Sequence, residues 1–350
     1  MNHKILDRKK HTVCLAGVIL LVLLTGLFLF KDRDITAIPQ ALAGTNPYYI
    51  LAGIGAIAAF FALEARGIQI LLQPLAGGMG YMQTYKYALI DFYFSSITPG
   101  CSGGQPSQAF FMYKDNIPLS ASSLALLTFN MVYHFAIILF AVAIAIWAPG
   151  DILSGIGAFK ILLVYGLTIQ FLLIILYLLA IFNRKLICRI IYCLAAFLTK
   201  IRLVKDPEKF RAKAALQIDA YCQGACYIKN HPLLLLRTIV IVLLHLLMLY
   251  SVPYWIYRAL GLSGISFMEM ITIQAALTIC IESLPIPGGI GVAEGGFFLI
   301  YTKIFGEGLL LPALLLCRGL NYYLGLLAGG AVSAISFSRT QQQNKTEAAG

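Results

Sequence analysis

Two short stretches of this chain hold the residue types that could handle a charged ligand in an apolar setting. "SSITPGCSGGQPSQ" runs from Ser95 to Gln108, and "LPIPGGIGVAEGGF" runs from Leu284 to Phe297. Three carboxylates accompany them: Asp91 in "YALIDFYF", Glu282 just before the second stretch, and Glu294 inside it. Arg318 follows in "RGLNYYLG", with Asn321 and Tyr322 at i+3 and i+4, hence on its face of a helix. Ionisable groups inside apolar segments are costly and mark functional sites. A guanidinium fork suits a phosphate, and the carboxylates suit a cationic headgroup or a proton-coupled step. Plainer roles stand beside these. Arg318 could simply pair with Glu282 or Glu294, and Glu294 could lie at the outer surface. His134 and His245, alone in their apolar runs, read first as interhelical hydrogen bonders. Pro99, Gly100, Gly103, Gly104, Pro287, Gly288, Gly289 and Gly291 read as shape-forming, with Gln105 beside them as a polar lining residue. No catalytic residue stands out.

Other chemistries find no motif. "GGIG" follows no strand and is not a dinucleotide fingerprint, and no P-loop, H-E-x-x-H or G-x-S-x-G occurs. The eight cysteines form no C-x-x-C pair. No metal and no cofactor are expected.

The elements that must position these residues are set by composition. The 350 residues are 60% hydrophobic and 12% charged, about half the charge of a soluble domain. Mean hydropathy is +0.83. This is the composition of an integral membrane protein, so the net charge of +11 reads as topology and not as nucleic-acid binding. Six runs are long enough to span the hydrocarbon core: Thr12–Phe30, Tyr48–Leu72, Leu119–Trp147, Ile161–Phe182, Leu233–Tyr257 and Leu309–Phe337. The first has no small-residue cleavage site behind it and reads as a retained span. Four basic residues precede it, and the segment from Asn183 to Lys213 holds nine Lys/Arg against two acids. Both are expected in the cytoplasm, with "KDRD" outside.

Two apolar regions are interrupted, Tyr85–Lys114 and Phe267–Phe305. Each reads as a hairpin that enters the membrane and turns back at a Pro/Gly centre. Pro99-Gly100-x-x-Gly103 repeats as Pro287-Gly288-x-x-Gly291, with Phe110 and Phe298 at one offset. Each half is then span, span, hairpin, span, with every direction reversed in the second. The expected fold is an all-α polytopic membrane protein, about six transmembrane helices plus two re-entrant helical hairpins in an inverted repeat. One domain is expected over 1–337, with halves of about 1–150 and 151–337, a basic amphipathic cytoplasmic segment over 183–232, and a disordered cytoplasmic tail over 338–350.

"SSITPGCSGGQP", "PIPGGIGVAEGGF" and "RGLNYYLG" together resemble the lysylphosphatidylglycerol synthase transmembrane-region family, also called flippase-like membrane proteins. The resemblance covers about Leu15 to Ser336. It implies a bacterial inner-membrane protein that moves lysyl- or other aminoacyl-phosphatidylglycerol between leaflets and contributes to cationic-peptide resistance. The alternative it implies is the membrane part of a phosphatidylglycerol lysyltransferase. No acyltransferase-like domain follows before Gly350, so this chain alone is expected to lack that activity, and a separate synthase is an expected partner, as is a second copy. Gln105 and Gln108 stand where the family often has an acid and a base.

Overall fold

A computed structural model describes Pro39 and residues 42–147, 157–186, 188–189, 193 and 207–347. The expected first span, the "KDRD" loop and most of the basic stretch lie outside the described residues. Ten helices are described: α1 Pro47–Ala76, α2 Tyr81–Ile97, α3 Gly104–Lys114, α4 Leu119–Trp147, α5 Gly157–Phe182, α6 Pro207–Asn230, α7 Pro232–Ala259, α8 Phe267–Glu282, α9 Val292–Arg318 and α10 Gly325–Glu347. No strand occurs among the described residues. Five stretches, which fall on α1, α4, α5, α7 and the α9–α10 region, are long and apolar enough to cross a membrane. The protein is an all-α polytopic membrane protein.

Local sequence places the helix ends. Asn46 caps α1 by accepting from the Tyr48 N–H, Pro47 occupies its first turn, and Gly77 closes it. α8 starts with a capping box, in which Ser266 and Glu269 exchange side-chain and backbone bonds. Tyr85–Lys114 folds as α2, a short 3-10 turn at Pro99–Cys101, and α3. Phe267–Phe305 folds as α8, a 3-10 turn at Pro287–Gly289, and α9 as far as a break at Gly306. The two interrupted regions are therefore helical hairpins.

The last span differs from the uniform helix expected over Leu309–Phe337. α9 passes into a π-helical turn, Gly319–Leu324, before α10. Such a turn widens the helix and re-aims its side chains. α10 runs on to Glu347, although a disordered tail was expected from Ser338. "TQQQNKTE" contains no glycine or proline to stop it and several good helix formers.

Packing pairs the halves reciprocally. α1 lies against α7, the second span of each half. α2, the first arm of hairpin one, packs on α10, while α8, the first arm of hairpin two, packs on α4. Each hairpin thus leans on the other half's final span, and the two turns touch. This exchange is what two-fold-related repeats require. Gly325 and Gly329 form a small-xxx-small face on α10, and a Cβ at Gly329 would press into the Leu89 carbonyl of α2. One continuous core joins α1, α2, α4, α7, α8 and α9. α5 instead exposes Ile161, Val164, Phe171, Leu172 and Leu176, a face fit for lipid chains.

Candidate functional site: where the two hairpin tips meet

The tips share one backbone path. Thr98 and Ile286 are extended (φ −115°, ψ 145° and φ −105°, ψ 128°), a proline follows, and Gly100 and Gly288 turn the chain at φ 60° and 57°. The next residues, Cys101 and Gly289, also have positive φ, 54° and 63°. Glycine takes that conformation freely, whereas Cys101 takes it at a cost, a form of strain that clusters at functional sites. A Cβ on Gly100 would sit 3.8 Å from both Cα and Cβ of Pro285, so the turns touch.

Hairpin two closes its own electrostatics. Glu294 Oε2 accepts from the Gly291 N–H at 2.6 Å, capping α9, and its Oε1 accepts from Arg318 Nε at 2.6 Å. Arg318 Nη2 lies 3.4 Å from the Gly288 carbonyl, and its guanidinium stacks over Tyr322 at 5.1 Å. The side chains are 16% and 7% exposed, so this is a largely buried pair. Tyr322 donates to the Ser96 carbonyl of α2, which ties the pair to hairpin one. A Cβ on Gly288 would lie 2.6 Å from the Tyr322 ring. Gly289 is buried, and a Cβ there would lie 2.5 Å from the Ile281 side chain. Asn321 Oδ1, in the π-helical turn, is buried with no hydrogen-bond partner among the described residues.

Hairpin one has no ion pair at its tip. The Gly103 N–H donates to Thr98 Oγ1 at 2.8 Å, a hydroxyl in place of Glu294. Gly104 starts α3 against Asp91 and Ser95, and a Cβ there would overlap both. Gln105 Nε2 reaches the Tyr177 hydroxyl at 3.4 Å, and Gln108 Nε2 donates to the Glu64 carboxylate and the Tyr87 carbonyl at 3.3 and 3.2 Å. Glu64 is buried and within electrostatic reach of Asp91.

Glu282 lies across the tip from this group. It is exposed, yet it accepts from the Tyr133 hydroxyl of α4 at 2.6 Å and from the Gln170 side chain of α5. Gln170 also bonds His134, whose ring stacks on Tyr177. Cys101 lies within electrostatic reach of both Glu282 and Asp91. Among the described residues, no Lys or Arg forms an ion pair with Glu282, Asp91 or Glu64.

The tips therefore gather Asp91, Pro99, Gly100, Gly103, Gly104, Gln105, Glu282, Pro287, Gly288, Gly289, Gly291, Glu294, Arg318, Asn321 and Tyr322 into one region. Arg318 pairs with Glu294 and not with Glu282. His134 and His245 are interhelical hydrogen bonders, His245 against the Phe60 carbonyl at 2.9 Å. Sequence reasoning missed Glu64, Cys101, Tyr133 and Gln170 as site residues. Glu64 and Gln170 had a signal as polar residues within apolar runs. Tyr133 had none, since its partner is 149 positions away.

The architecture defines a class, an all-α multi-pass membrane domain in which two broken hairpins meet tip to tip. Residues 14–329 match the family described as Lysylphosphatidylglycerol synthase TM region, and the chain belongs to that family. It is accordingly a multi-pass membrane protein related to lysylphosphatidylglycerol metabolism. No curated protein matches the chain.

Proposed function

We propose that this protein moves a phospholipid between leaflets, lysyl- or another aminoacyl-phosphatidylglycerol being the substrate that the family suggests. The observation that carries this reading is the meeting of the hairpin tips. Carboxylates without a cation face one side of the junction, and an arginine whose second nitrogen is only weakly engaged faces the other. A lipid with an ammonium and a phosphate matches that polarity, and irregular backbone at membrane depth is tolerated where it lines a polar passage. The Arg318 fork has Nε committed to Glu294, which leaves its Nη edge for phosphate. The reading includes a bacterial inner-membrane location, cytoplasmic N- and C-termini, and a role in lipid transport that raises surface charge and cationic-peptide resistance.

The second reading is the membrane part of a phosphatidylglycerol lysyltransferase working with a separate catalytic domain, and the family's description favours it. Proteoliposomes containing lysyl-phosphatidylglycerol separate the two. With transport, a membrane-impermeant amine reagent labels nearly the whole pool; without it, only the outer leaflet reacts. Labelling confined to the outer leaflet, combined with lysyl transfer once a catalytic domain is added, would replace the first reading with the second.

A further inference from the structure

We propose that Glu282 and Tyr250 form a binding site for a small monovalent cation, set apart from the Arg318–Glu294 pair. Glu282 is the last residue of α8, where the helix dipole presents its negative end. A carboxylate there is destabilised unless a cation joins it. Tyr133 and Gln170 each donate a hydrogen bond to it, yet no Lys or Arg among the described residues neutralises it. A carboxylate has about four lone-pair positions, so two donors leave room for a ligand.

Tyr250 supplies the independent observation. Its side chain is fully buried, with its ring edge-on to Phe140 at 5.0 Å. Its hydroxyl has no hydrogen-bond partner, although it lies within electrostatic reach of Glu282 and Tyr133. A buried hydroxyl without a partner is rare and calls for a missing ligand or water. The groups facing Glu282 are Tyr133 from α4, Gln170 from α5, Tyr250 from α7 and Cys101 from the first tip, with Asp91 of α2 near Cys101. None of them is cationic. The oxygens of Glu282, Tyr250 and Tyr133 are hard donors, which suit sodium, hydronium or a primary ammonium over soft metals.

The scaffold is built for close approach at this point. A Cβ on Gly166 would lie 2.7 Å from the Ile279 carbonyl, so glycine lets α5 press against the end of α8. One turn later on the same face stands Gln170.

Binding to the full chain in nanodiscs tests the site without relying on lipid movement. Radioactive sodium is titrated between roughly pH 5 and 9, with methylammonium as the amine competitor. We expect saturable binding, of sodium or of methylammonium, that protons displace. Glu282→Gln should weaken it at least about tenfold, and Tyr250→Phe, which keeps the ring packing, several-fold. Asp219→Asn on α6 should leave it unchanged. Displacement of sodium by methylammonium assigns the site to the headgroup amine as well as to a free ion; resistance to it assigns the site to the ion alone. Absence of saturable binding of either cation across that range, or binding that survives both substitutions, overturns the proposal. Lipid movement without cation binding would refute this inference and leave the proposed function standing.

Discussion

The two hairpins turn through nearly the same backbone angles, yet they are held in opposite ways. Hairpin two closes on itself, with Glu294 capping α9 and binding Arg318, which reaches back to the Gly288 carbonyl. Hairpin one uses a threonine hydroxyl and two glutamines for the same tasks, and leaves Asp91 without a cation. An ion pair shielded from water is rigid because breaking either half strands a buried charge. Neutral amide contacts at 3.2–3.4 Å exchange far more easily. One repeat is thus fixed and the other free to rearrange, which a carrier alternating between two faces would use.

The largest expected effect breaks the fixed side. Glu294→Ala or Arg318→Ala each leaves one charge buried and unpaired, so each should cost about 3 kcal/mol. The double substitution should cost less than the sum of the singles, read by thermal unfolding in detergent. Additive losses would show that the pair does not lock the tip. Next is Gly104→Val, whose branched side chain would strike Asp91 and Ser95. Overpacking of this kind costs about 1–3 kcal/mol, and lipid movement should fall with it. Asp91→Asn keeps the shape and sharpens the contrast. Stability should change by less than about 1 kcal/mol while lipid movement falls severalfold; a transport rate equal to that of the native chain would remove Asp91 from the site. Gln105→Ala removes one long contact to Tyr177 and should alter stability by no more than about 0.5 kcal/mol.

Much of this was legible in the sequence because it is local. Apolar runs set the helices, and Pro-Gly pairs at matched spacing set both turns, since few residues other than glycine take φ near 60° without strain. Spacing also suggested an ion pair for Arg318, with Glu282 or Glu294 as equal candidates. Choosing between them needed the path of α9, which carries Glu294 and Arg318 on one helix, bent at Gly306. The π-helical turn at Gly319–Leu324 left no pattern in an otherwise ordinary apolar run. Tyr133 and Tyr250 read as ordinary span aromatics, and only packing of α4 and α7 against α8 brings them to Glu282.

The most direct measurement locks the two tips together. The position of a Cβ at Gly100, 3.8 Å from the Pro285 Cβ, lies within disulfide range. Gly100→Cys/Pro285→Cys should therefore cross-link on mild oxidation, and each single substitution should not. If lipid passes when the tips part, the oxidised double variant should stop exposing lysyl-phosphatidylglycerol to the outer reagent, and a reductant should restore it in the same sample. Transport at the reduced rate while the cross-link is complete would contradict passage between the hairpin tips.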